Sequence, residues 1–173
     1  NPYVADNNLG IQLNPGTFKF ALNKKVKFIA THQENAQRLI PGSDPNRKDN
    51  VLFLGCSYTY GYGVNDDESF AAITQKKHPD WNIENTAVVG YGTAQHLIQL
   101  RQKVQSNSPK GVVLCLSSVH FIRTVLSQHY RSNLRIGYRR SSSDVDDRMN
   151  GARFPYFDEY SRQEKHANWE DLY

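Results

Sequence analysis

One stretch constrains the fold of this chain more than any other: Val51-Leu52-Phe53-Leu54-Gly55-Cys56-Ser57-Tyr58-Thr59-Tyr60-Gly61-Tyr62-Gly63. Val51–Gly55 is an uninterrupted apolar run, the mark of a strand covered on both faces in a parallel sheet. A serine stands directly after it, followed by small residues and two glycines able to turn the chain sharply. Two more runs repeat the theme, Trp81–Val89 and Gly111–Ser117 (GVVLCLS), and both read as strands, the second of them buried.

Helical patterns separate these strands. Asp66–Lys77 reads as a helix with Asp66 or Asp67 as its cap and Phe70, Ile73 and Thr74 on one side. Thr93–Gln105 places Leu97, Ile98, Leu100 and Val104 at helical spacing, and Phe121–Tyr130 reads as a helix after the third strand. Strand, helix, strand, helix, strand is a right-handed βαβαβ unit. Chemistry in such open sheets sits at the carboxyl ends of the strands. Those ends are Cys56–Gly63, Gly90–Thr93 and Ser117–His120.

Residues 51–131 therefore read as an α/β core with a flank on each side. Residues 1–50 carry turn signals at Asn14-Pro15-Gly16 and Pro41–Asn46. Between them, Thr17–Leu22 and Lys25–Ala30 alternate as the two strands of a hairpin would. Residues 132–173 are polar, with Ser, Asp and Arg clusters, and read as a surface insertion or an incomplete C-terminal part. The chain opens on Asn1 and closes on this polar stretch, as one piece of a longer protein would.

Composition narrows the function. A net charge of +4, from 21 basic and 17 acidic residues with no long like-charge run, is a solvated surface rather than a nucleic-acid footprint. No stretch approaches the ~20 apolar residues of a membrane span. Two cysteines make no disulfide framework. Neither starts a Cys-x5-Arg phosphatase loop, because Tyr62 and Phe121 stand six residues after Cys56 and Cys115.

Ser57 is the residue that carries chemistry. A serine at the carboxyl end of a buried strand presents its hydroxyl at the sheet edge. Its own N–H and the next helix N-terminus face the same space, so nucleophile and oxyanion donor come together. The plainer alternative is a serine that only satisfies backbone groups at a strand end. Other glycine-loop chemistries fail on spelling: no Lys follows for a P-loop, and Gly90-Tyr91-Gly92-Thr93-Ala94-Gln95 lacks the third glycine of a dinucleotide fingerprint. A Gly-x-Ser-x-Gly elbow is broken by Thr59.

Gly55-Cys56-Ser57-Tyr58-Thr59-Tyr60-Gly61-Tyr62-Gly63-Val64 resembles the first block, "GDSxTxGxGV", of the SGNH (GDSL-like) hydrolases, with Cys56 in place of the usual Asp. Asn85–Thr93 resembles the second block of that family, and Asp66-Asp67-Glu68-Ser69-Phe70 its usual helix start. Asp6–Gly16 resembles an extension found before some members, so the likeness covers roughly residues 1–125. It implies a three-layer α/β/α sandwich with a flavodoxin-like parallel sheet and a small N-terminal extension. It also implies Ser57 as nucleophile and Gly90 as an oxyanion N–H donor; a mere turn glycine at Gly90 is compatible with that role.

Two blocks depart from the pattern. The third normally supplies an Asn, whereas this chain has Ser117-Ser118-Val119-His120-Phe121-Ile122-Arg123, so His120 either donates a ring N–H in its place or caps the following helix. The fourth, Asp-x-x-His, has no counterpart, and His32, His78, His96, His129 and His166 read as surface residues. Either that block lies beyond Tyr173, or another histidine serves, or the chain is not a catalyst.

The resemblance implies a serine esterase acting on a small-molecule, glycan or lipid ester, without metal or organic cofactor. An O-acyltransferase of the same fold, or a catalytically inactive carbohydrate- or lipid-binding module, is the alternative. Tyr58, Tyr60 and Tyr91, with Tyr62 nearby, either contact that substrate or pack against residues 1–50.

Overall fold

The computed structural model describes residues 1–22, 25–106, 108–139, 145–158 and 160–172, and the side chains of 135–139, 145 and 146 lie outside that description. The first fifty residues supply two antiparallel hairpins: β1 (Tyr3–Asp6) with β2 (Gly10–Leu13), and β3 (Gly16–Leu22) with β4 (Val26–His32). The second hairpin has the alternating segments expected of it and starts at the Asn14-Pro15-Gly16 turn.

The apolar run at Val51 lies within β5 (Asp49–Leu54), the centre of a three-stranded parallel sheet. β6 (Trp81–Asn85) pairs on one side, Val51 opposite Ile83, and β7 (Gly111–Leu114) on the other, Val51 opposite Gly111. Single bridges from Arg38 to His32 and to Asn85 join the second hairpin to the β6 edge. After β5 come the short α1 (Ser57–Tyr60), a three-ten turn at Asp66–Glu68 and α2 (Phe70–Lys77). After β6 comes α3 (Thr93–Ser106); after β7 come α4 (Val119–Thr124), α5 (Gln128–Arg139) and α6 (Val145–Arg148). An antiparallel pair, β8 (Arg153–Phe157) and β9 (Glu164–Asn168), and a three-ten turn at Glu170–Leu172 complete the described chain.

Four expectations need correcting. The helix expected from Asp66 splits, because Ser69 accepts the Ala72 N–H at 3.2 Å and caps α2 there. Ala71 and Ala72 form its buried side, while Phe70 and Ile73 face outward. The strand expected to be buried at Gly111–Ser117 is an edge: Val112, Val113 and Leu114 are exposed. A run as apolar as an inner strand thus stands unpaired on its outer side among the described residues. The helix expected over Phe121–Tyr130 is two helices, broken where Leu126 takes a left-handed φ of 47°.

The fourth correction is the largest. Of the two readings of residues 132–173, a surface insertion does not fit the described part, which contributes to the core. Met149, Ala152, Phe154, Ala167, Trp169 and Leu172 are buried in one core with Leu9, Ile11 and Leu13 of the N-terminal segment and Tyr60, Tyr91 and Leu126 of the centre. Gly10 permits this closure: a Cβ there would meet the Phe154 ring at 2.4 Å, and its φ is +83°. A smaller cluster of Ile40, Phe53, Ala71, Ala72 and Ile83 packs α2 on the parallel sheet.

Candidate functional site

Ser57 is the first residue of α1, immediately beyond the carboxyl end of the central strand β5. The corner is tight because Gly55 has no side chain. A Cβ there would meet Thr59 Oγ1 at 1.9 Å. Thr59 is fully buried, and its carbonyl accepts Asn85 Nδ2 at 2.9 Å, which ties the turn to the end of β6. The Ser57 carbonyl accepts the N–H groups of Gly61 (3.1 Å) and Tyr62 (2.9 Å). Its own N–H, at the first helical position, has no acceptor within the helix. Among the described residues the half-buried hydroxyl meets only Cys56 Sγ, at 3.9 Å.

Beneath this loop lies a buried guanidinium. Arg38 donates to Asp66 Oδ1 at 3.0 Å and to the carbonyls of Tyr60, Gly61 and Val64, and its charge sits 4.7 Å from the centre of the Tyr60 ring. Five donors in a planar fork suit several carbonyls pointing inward from one loop. Arg38 is thus the fastener that holds residues 60–66 against the second hairpin.

Beyond the neighbouring strand β6, which ends at Asn85, Gly90 has φ +94° and its carbonyl accepts the Tyr130 hydroxyl. Its N–H has no acceptor among the described residues. Gly92, two residues on, admits α4 at close range, since a Cβ there would meet Arg123 Cβ at 2.8 Å. Arg123 donates to the Tyr91 carbonyl at 3.1 Å and lies 5.7 Å from the Tyr130 ring. These contacts tie the Gly90 turn to α4 and α5.

His120 follows β7 and is buried. Its Nδ1 is 2.8 Å from the Ser117 N–H and 3.0 Å from the Ser117 carbonyl. A backbone N–H can only donate, so the shorter contact places the lone pair on Nδ1 and the proton on Nε2. That Nε2 has no hydrogen-bond partner among the described residues. Burial lowers the pKa of His120, keeping the ring neutral. The ring stands edge-on to His96, centroids 5.2 Å apart at 60°.

His96 is a site residue that sequence reasoning missed. It was expected at the surface, yet it is 2% exposed, and neither ring nitrogen has a hydrogen-bond partner among the described residues. Burial, reinforced by His120, pulls its pKa down to about 4. The Gly55 carbonyl is near enough to oppose that shift, although no nitrogen reaches it in hydrogen-bond geometry. The ring therefore packs under the corner that carries Ser57. Its position on α3 beside Ala94, Ile98 and Gln99 is the one sequence signal, and Gln95 and Gln99 share the buried side.

No protein-family model and no curated protein matches this chain.

The tyrosines separate. Tyr58 is exposed beside Ser57. Tyr60 and Tyr91 are 0% and 1% exposed and pack in the core with the N-terminal segment, the second of the two alternatives for them. The Tyr60 hydroxyl donates to His32 Nε2 at 2.7 Å, because His32 Nδ1 gives its proton to the Asn14 carbonyl. His32, also expected at the surface, is buried. The Tyr91 hydroxyl donates to the Ile11 carbonyl at 2.5 Å. Burial raises the pKa of both phenols, so neither ionises near neutrality. Among the described residues no three His, Cys, Asp or Glu side chains are arranged to hold a metal ion. No helix among them is long and apolar enough to cross a membrane.

Proposed function

We propose that this chain carries the nucleophile and oxyanion donors of a serine ester hydrolase of the SGNH type. One observation carries the reading: Ser57 and Gly90 follow adjacent parallel strands, and both have N–H groups outside the backbone hydrogen-bond ladder at the end where such sheets bind ligands. The strand order β6-β5-β7 has the same sequence as the first three strands of a flavodoxin-like sheet, which supports the three-layer sandwich.

In the proposed reaction Ser57 Oγ attacks an ester carbonyl while a base takes its proton. The carbonyl oxygen becomes an oxyanion held by the N–H groups of Ser57 and Gly90, with His120 Nε2–H as a third donor. The alcohol leaves with a proton, and water then releases the acid from Ser57. A sugar hydroxyl in place of that water would make the same chain an O-acyltransferase.

A second reading has its own observation. Among the described residues no imidazole is hydrogen-bonded to Ser57 Oγ, whose one partner there is Cys56 Sγ. A serine without a base is a poor nucleophile at neutral pH, and a binding module for an ester-bearing glycan or lipid would have this arrangement.

Fluorophosphonate treatment of the wild type and of Ser57→Ala, read by intact mass, tests the two. One adduct on the wild type alone supports the hydrolase. No adduct on folded protein refutes an activated Ser57 in this chain and favours the binding module.

A further inference from the structure

The Gly90 turn also forms one wall of a cavity of about 360 Å³. The other walls are Tyr62 of the Ser57 loop, Tyr3 and Phe20 of the N-terminal hairpins, and Tyr130 and Leu134 of α5. Phe20 is stacked on Phe28 at 4.8 Å, and both meet Tyr62 edge-on at 6.0 and 5.2 Å, so that wall is a fixed aromatic cluster. Its remaining described members are Val89 and Asn133, so no charged side chain among the described residues lines it. The Tyr130 hydroxyl, the polar group nearest Gly90, is spent on the Gly90 carbonyl.

We infer that this cavity is the acyl pocket of the Ser57 site and takes an uncharged aliphatic acyl chain of medium length. The inference rests on the esterase reading. In an acyl-enzyme the carbonyl oxygen points at the Gly90 N–H, so the group attached to the carbonyl carbon lies beside Gly90, where the cavity is. Apolar aromatic walls without a charge reward burial of methylenes and penalise a charged or strongly hydrated group. A volume of about 360 Å³ lies at the lower end of the ~300–1,000 Å³ usual for small-molecule sites. That suits a chain of six to eight carbons, on the order of one per water-sized ~30 Å³ with room to spare. Specificity thus falls to Tyr62, Phe20 and Leu134, rather than to Tyr60 and Tyr91.

The test uses hexanamide and acetamide, uncharged carbonyl compounds that the protein need not turn over. Each is titrated into ¹⁵N-labelled Ser57→Ala protein, in Leu134→Trp and Tyr62→Trp backgrounds as well. Hexanamide is expected to shift the amides of Gly90, Tyr62 and Leu134 saturably, with affinity more than tenfold above that of acetamide. Leu134→Trp fills the cavity and is expected to abolish those shifts while the rest of the spectrum keeps its dispersion. Should that variant unfold, Tyr62→Trp at the half-exposed wall gives the same reading. Equal binding of both amides, shifts elsewhere only, or hexanamide binding that survives both tryptophan variants would overturn the pocket. Because Ser57 is absent throughout, these outcomes are independent of fluorophosphonate labelling, which alone decides whether Ser57 is activated.

Discussion

Replacing Arg38 with Met should unfasten the Ser57 loop, and the size of the effect can be worked from its contacts. The Arg38 side chain is fully buried, and Asp66, its ion partner, is 14% exposed. The substitution keeps the aliphatic volume, removes four hydrogen bonds and leaves the carbonyls of Tyr60 and Val64 without their donor, while Gly61 keeps the Val64 N–H at 3.3 Å. Breaking a buried pair by deleting one partner costs about 3–5 kcal/mol. Each orphaned buried acceptor adds about 1–3 kcal/mol when water cannot reach it. Asp66 lies near the surface and also accepts the Thr31 N–H, so water relieves part of the cost and the lower figure applies. About 3 kcal/mol, or a fall in Tm of roughly 6–12 °C for a chain of this size, is the expected loss.

Urea denaturation followed by tryptophan fluorescence measures it. The double variant Arg38→Met/Asp66→Asn identifies the cause: if an uncompensated carboxylate dominates, it will be more stable than the two single losses predict when summed. A loss below about 1 kcal/mol for Arg38→Met alone would refute the account of Arg38 as the fastener of residues 60–66.

Two other predictions concern the same corner. His96 has its pKa lowered to about 4 by burial, so as pH falls below about 6.5 the unfolded chain takes up the proton first. Stability present above pH 6.5 should be lost progressively toward pH 4, on the order of 3 kcal/mol in all. His96→Leu should flatten that part of the curve in denaturation series between pH 4 and 8, leaving the smaller slopes of His32 and His120, which burial also lowers. An unchanged slope in His96→Leu would exclude His96 as its source. Gly55→Ala should cost at least 2 kcal/mol by overpacking, because its Cβ would meet Thr59 Oγ1 at 1.9 Å. Gly111→Ala, whose Cβ would meet nothing closer than 3.8 Å, is the control and should stay within about 0.5 kcal/mol in the same melts.

Local pattern made much of the site legible. A continuous apolar run ending in Gly-Cys-Ser is a strand that must turn at once, and the structure has Ser57 at that corner. The boundary of α3 at Thr93 and the hairpin after Asn14-Pro15-Gly16 follow from turn chemistry that acts over a few residues. Gly90 was singled out by the resemblance of Asn85–Thr93 to a family block, and its φ of +94° is one that only a glycine accommodates without strain. Such features are fixed by torsional preferences and short-range hydrogen bonds, so a few neighbouring letters suffice to read them.

The sequence by itself therefore determined the parallel strands, the corner and the position of its serine. Which faces are buried was decided by segments far apart along the chain. Tyr91 reads as a tyrosine beside a loop, but its hydroxyl meets Ile11, eighty residues away, and that contact anchors it in the core. His166 reaches the Asn8 carbonyl across 158 residues, and Trp169 and Phe154 turn a polar C-terminal text into core. Periodicity names a side of a helix or strand without naming what covers it. So His96 became buried, Val113 exposed, and the aromatic wall beside Gly90 was built from Phe20, Tyr62 and Tyr130 only when the tertiary fold brought them together.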